Sequence, residues 1–127
     1  MKRSVVATLL VAVAALGTVA GVIVFSGEEP QFQAISDSAP ADHEYVIPQG
    51  TGERIDAGEA ISIIPAELEV HVGESIRIVN NDDRGHIVGV FFVGAGETMS
   101  QSFTSAGTLS GGCTIHPSGE FTLQVLN

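Results

Sequence analysis

An all-β fold behind one N-terminal apolar segment is predicted by three features of the sequence. Apolar and polar residues alternate in short runs, the two-residue period of strands with one face buried. Gly, Pro, Asn and Asp clusters separate those runs at the spacing of a sandwich or barrel. Beyond His43 no sustained helical periodicity appears. The 127 residues suffice for one domain and an appendage.

Residues 1–25 are the first element. Lys2 and Arg3 precede Val5–Phe25, a stretch of 21 residues without charge. As a helix it spans roughly 30 Å, the thickness of a bilayer core. The basic pair is expected to stay in the cytoplasm while the rest crosses. The expectation is a single-pass anchor through residues 4–25, or a signal peptide with Thr18-Val19-Ala20 as its cleavage site. Cleavage there would leave Val22–Phe25 as an exposed apolar tail, which favours the anchor. Both readings place the remainder outside the cytoplasm, at the cell membrane or, after cleavage, secreted or periplasmic. Residues 26–42 have linker composition, with only Phe32 and Ile35 as larger apolar groups.

Residues 43–127 read as the domain. Tyr45-Val46-Ile47 is a strand stopped by Pro48, and a Gly-rich connection runs from Gln49 to Gly58. Ala60–Ile64 is a β-branched run ended by Pro65. Leu68, Val70 and Val72 alternate with polar residues before the Gly73-Glu74 turn. Ser75–Val79 is the next strand, followed by the polar loop Asn80–Gly85. His86–Val93 is a near-continuous apolar run, Gly94–Gly96 a turn and Thr98–Phe103 a strand. Thr104–Gly112 is small and Gly-rich, and Phe121–Leu126 closes the chain as a core strand. Antiparallel pairing is expected throughout.

All 15 acidic residues lie at Glu28 or later, against only Arg54, Arg77 and Arg84 in the same region. Such a surface excludes nucleic-acid binding, which needs Lys and Arg clusters. It suits a basic protein partner or solubility in salt. The single cysteine, Cys113, forbids an internal disulfide. A lone thiol in an exported chain points to intermolecular pairing or to a reactive or liganded group.

Cys113 and His116 share the loop Gly111–Gly119 that feeds the last strand, and His86 opens the apolar run upstream. One thiolate and two imidazoles suit copper in a trigonal site. The alternatives are Cys113 as a small buried hydrophobe and His86 as a strand-end polar residue. Alternation directs His71 to solvent, and His43 sits at the linker boundary, so neither is a candidate. Asp82 and Asp83 read as turn-forming residues, and Gly111 and Gly112 as points where backbones pass closely.

Pro65-x-x-Leu-x-Val-x-x-Gly-x-x-Ile-x-Ile-x-Asn80, then Asp82-Asp83-x-x-His86, then Cys113-Thr-Ile-His-Pro117, resembles the cupredoxin family over about residues 44–126. The resemblance implies a Greek-key β-sandwich, one mononuclear copper and one-electron transfer to a redox partner. It maps the ligands onto His86, Cys113 and His116. The family's axial Met is missing: three and five residues after His116 stand Gly119 and Phe121. The axial position is therefore left to the Gly85 carbonyl, to Glu120 or to nothing; Met99, beyond the Gly94–Glu97 turn, is discounted. No catalytic pattern and no small-molecule substrate are expected, so the chain reads as a carrier and not an enzyme. Copper storage or delivery, and a metal-free structural sandwich, are the competing readings.

Overall fold

A computed structural model describes residues 29–127; the segment expected as anchor or signal lies outside the described residues. Among the described residues no helix is long and apolar enough to cross a membrane. In chain order the elements are β1 (Phe32–Ala34), β2 (His43–Ile47), α1 (Thr51–Asp56), β3 (Glu67–His71) and β4 (Ser75–Asn80). There follow β5 (His86–Val88), β6 (Phe91–Val93), β7 (Thr98–Phe103), β8 (Gly107–Gly112) and β9 (Glu120–Leu126). One sheet has the order β1-β7-β4-β2, a second β3-β9-β8, and β5 and β6 form a separate hairpin.

The alternating strands pack as their pattern requires. Leu68 and Val70 of β3 and Phe121, Leu123 and Val125 of β9 are buried, while Glu67, Glu69, His71, Glu120 and Gln124 are exposed. Opposite them lie Ile76 and Ile78 of β4, Ile47 of β2 and Phe103 of β7, all in one apolar cluster. Burying such side chains, at about 1.5–3 kcal/mol each, is the main force holding the layers together.

The pairing is mixed, where uniform antiparallel ladders were expected. β2 runs parallel to β4 and β3 parallel to β9, while the other four ladders are antiparallel. Alternation fixes the face a strand buries and says nothing about its neighbour. Pro48 and α1 carry the chain out of the sheet after β2, so β4 returns beside it in the same direction.

Four stretches differ from the sequence reading. The connection Gln49–Gly58 contains α1, a helix too short to register as periodicity. Ala60–Ile64 is irregular, although Ile61 and Ile64 are buried. The Gly-rich stretch before Cys113 forms β8, paired residue by residue with β9. Within the expected linker 26–42, Phe32–Ala34 pairs with β7. The Phe32 ring stands edge-on to Phe91 at 5.0 Å and Phe103 at 5.8 Å, which holds this strand down.

The chain between β1 and β2 covers the outer face of β4. There Arg77 is buried, donating to the Ser36 and Ala39 carbonyls and through Nε to Ser100 Oγ at 2.9 Å. The Ser75 N–H donates to the Asp42 carboxylate at 2.9 Å, and the Asp42 N–H to Ser75 Oγ at 3.2 Å.

Two outcomes are expected. Phe103→Ala empties the centre of the core and should cost about 3–5 kcal/mol in urea denaturation. Glu74, between β3 and β4, accepts from the His71 N–H, and this bond, with the nearby His43 and His71 side chains, holds its carboxyl below the usual range against partial desolvation. A depressed carboxylate stabilises the fold above its unfolded pKa, and that contribution is lost as pH falls through the folded value. Glu74→Gln should therefore flatten the pH dependence of stability below about pH 4.3, read by thermal unfolding from pH 7 to 3.

Candidate metal centre

The two loops that carry the candidate ligands meet through backbone pairing. Val88 of β5 bridges antiparallel to Cys113, just past the end of β8. The Gly89 N–H donates to the Gly112 carbonyl at 2.7 Å, and the Thr114 N–H to the Ile87 carbonyl at 2.9 Å. In this register His86 lies diagonally from Cys113, and alternation directs both inward with Val88 and Ile115. All four are buried, while Ile87 and Thr114 are exposed. The strands approach this closely because position 111 has no side chain. A Cβ there would stand 2.9 Å from the Gly89 backbone.

His86 has both ring nitrogens engaged. Nε2 lies 2.7 Å from Asp82 Oδ2, and Nδ1 lies 3.1 Å from Thr114 Oγ1. Asp82 is itself buried, with N–H donors from Gly50 at 3.1 Å and Gly52 at 2.8 Å. Burial alone would raise its carboxyl. The bonds from His86 and from the Gly52, Asp83 and Gly50 backbones outweigh that and hold it far below the usual carboxylate range. Nε2 thus faces the carboxylate, and Nδ1 faces the Thr114 hydroxyl. Asn80 braces the loop, its side-chain amide donating to the Arg84, Val93 and Gly94 carbonyls at 2.8–3.0 Å.

Cys113 is buried and free. Burial pushes its thiol above the ordinary value, while the backbone N–H groups of Ile115 and His116, directed at the sulfur, pull it part of the way back. His116 is half-buried on the same loop. Its Nδ1 accepts the Ser118 N–H at 3.1 Å and lies 2.7 Å from Ser118 Oγ, so its lone pair is directed at Ser118. Glu120 is exposed at the start of β9. Met99 is partly buried in β7 and packs on the core. His71 is exposed, and His43 and His71 lie 3.5 and 3.3 Å from Glu74.

Among the described residues no three His, Cys, Asp or Glu side chains converge on one point. His86 and Cys113 fit copper by donor type and by their common inward face; His116 fits by type but is turned to Ser118. The contribution of Asp82 was missed in the sequence, where Asp82 and Asp83 read as turn residues. Its spacing of four from His86 was the available signal.

No family model matches the chain, and no curated protein does. Among solved structures it is similar to amicyanin from Paracoccus versutus, with a TM-score of 0.47 and 18% identity over 76% of this chain and 99% of that one. A reduced Cu(I) form of an amicyanin variant gives 0.44 and 23% identity over 79% and 94%. A purple cupredoxin from Nitrosopumilus maritimus gives 0.44 and 22% over 66% and 99%. These overlaps are partial, and the sandwich is established by its own strand order and register.

The buried, largely protonated thiol has a direct consequence. In the metal-free folded chain at pH 7, Cys113 should react with a disulfide reagent at least tenfold more slowly than in urea, where burial is lost. Absorbance of the released thiolate measures both rates.

Proposed function

We propose that this chain is a copper-binding carrier of single electrons, with His86, Cys113 and His116 as the ligands. The observation that carries the reading is the pairing of β5 with the Cys113 strand, which sets a buried thiol and a hydrogen-bonded imidazole on one inward face. Bound copper supplies the one-electron couple between Cu(II) and Cu(I). The protein's part is to hold its donors still in both states, which two braced loops on a packed sandwich do better than free loops.

Each donor has a stated task. Cys113 gives up its proton to bind as thiolate, and the Ile115 and His116 N–H groups aimed at the sulfur support that charge. His86 would offer Nδ1 in place of its contact with Thr114. His116 would have to leave Ser118, at the loss of two hydrogen bonds of about 1 kcal/mol each. Glu120, exposed at the start of β9, would be the weakest further donor, after the Gly85 carbonyl.

The domain operates outside the cytoplasm, tethered or released according to the fate of residues 1–25, and meets a basic redox partner through its acidic surface. Copper delivery is the second reading, favoured by the position of His116 on an accessible loop with its lone pair turned elsewhere.

Addition of one equivalent of Cu(II) to the metal-free full-length chain should produce an intense visible thiolate-to-copper band, absent in Cys113→Ser. A flat spectrum in the unmodified chain ends the reading. Reversible voltammetry of the loaded protein supports electron transfer, and rapid loss of copper to a chelator supports delivery.

A further inference from the structure

Most of the linker expected over residues 26–42 belongs to the body of the domain. Pro30 is buried. The Gln31 N–H donates to Ser105 Oγ at 2.9 Å, and the Gln31 carbonyl accepts the Thr104 N–H at 2.9 Å. Phe32–Ala34 pairs with β7, and the Ser36 and Ala39 carbonyls accept from the buried Arg77. The chain is therefore fixed from Pro30 onward. Between Phe25, the last residue of the apolar stretch, and Pro30 stand only Ser26, Gly27, Glu28 and Glu29. In any conformation this connection spans at most about 18 Å.

Register sets where that short connection enters. β4 runs from Ser75 at one pole of the sandwich to Asn80 at the other, and β7 returns beside it from Thr98 to Phe103. Phe32 pairs with Phe103, and the Gly73 N–H donates to the Phe103 carbonyl. The entry point thus shares a pole with the β3–β4 turn and Ser105. The opposite pole holds the Asn80–Gly85 loop, His86 and the loop of Cys113 and His116. The six residues of β4 keep the two poles about 20 Å apart, and the loops beyond Asn80 add to that.

The domain also lacks the groups that would lay it flat on lipid. Flat adsorption draws on Lys and Arg that meet anionic headgroups. Among the described residues there is no Lys, and each Arg is engaged. Arg77 is buried, Arg54 lies on Glu59 at 3.0 Å, and Arg84 lies on Asp56 at 2.7 Å.

We propose that the domain stands upright on the membrane. The pole of Pro30 and Ser105 faces the lipid, and the pole of His86 and Cys113 faces outward, so that a protein partner reaches it through water and not along the bilayer. This orientation depends on residues 1–25 remaining as the anchor proposed above and is independent of copper. Ile87 and Phe92, exposed opposite each other on the β5–β6 hairpin, then face that partner instead of inserting among acyl chains.

The test uses the whole chain reconstituted into vesicles of phosphatidylcholine and phosphatidylglycerol with a nitroxide quencher on the headgroups. A dye is placed on Thr104→Cys or on Ala95→Cys, exposed positions beyond the two ends of β7. Buried Cys113 stays unlabelled, with the unsubstituted chain as control. Quenching should be at least about twofold stronger at position 104 than at 95, because β7 separates them by roughly 20 Å. Insertion of about ten Gly and Ser residues after Gly27 should abolish the difference, since a long flexible tether lets the domain tumble.

Equal quenching in the chain without the insertion, or stronger quenching at position 95, overturns the orientation and leaves the anchor standing. A difference that survives the insertion overturns the role of the short connection. A chain that stays in solution when the vesicles are pelleted overturns the anchor reading, and the orientation falls with it.

Discussion

A carboxylate taken out of water must be surrounded by donors, and at Asp82 that requirement organises one end of the molecule. The Gly50 and Gly52 N–H groups turn inward to Asp82, Arg84 closes over Gly52, Asn80 ties the loop to the end of β6, and His86 shares Oδ2 of the carboxylate with Gly52. No single bond here is strong by itself. Breaking a buried pair nevertheless costs about 3–5 kcal/mol, because the partner is left charged and unsatisfied. The arrangement is therefore held as a unit, and the imidazole inherits its rigidity.

The other donor loop is held differently. Cys113 is fixed by the β-bridge to Val88 and by its N–H donating to the Gly119 carbonyl at 2.8 Å, backbone contacts indifferent to its side chain. His116 is tied only to Ser118, two residues away. One imidazole is therefore built into the body of the fold, whereas the other belongs to a local turn. In the proposed copper site, the turn is the part that would have to rearrange for an ion to enter.

Much of this was legible in the sequence. Alternation identified the faces of β3 and β9, because burial of one face imposes its period on the residues themselves. Strand direction was not legible: β2 and β4 look the same to their own side chains whether they run parallel or antiparallel. Nor was β1, whose three residues are held by the Phe32 ring and by neighbours far along the chain. Composition found Cys113, His86 and His116, but not that Asp82 faces His86 rather than solvent. An Asp in a loop does most often serve its own turn, and only the donors brought in by Gly50 and Gly52 make it an interior ion.

The contact between Gly111 and the backbone of Gly89 bears on the size of the centre. The two donor strands lean on each other main chain to main chain, with nothing interposed. Their separation is consequently a fixed property of the peptide unit, which no exchange of nearby side chains can reduce. In the proposed site, diversity has to come from which atoms point into the gap, or from a side chain at position 111 that would push the strands apart.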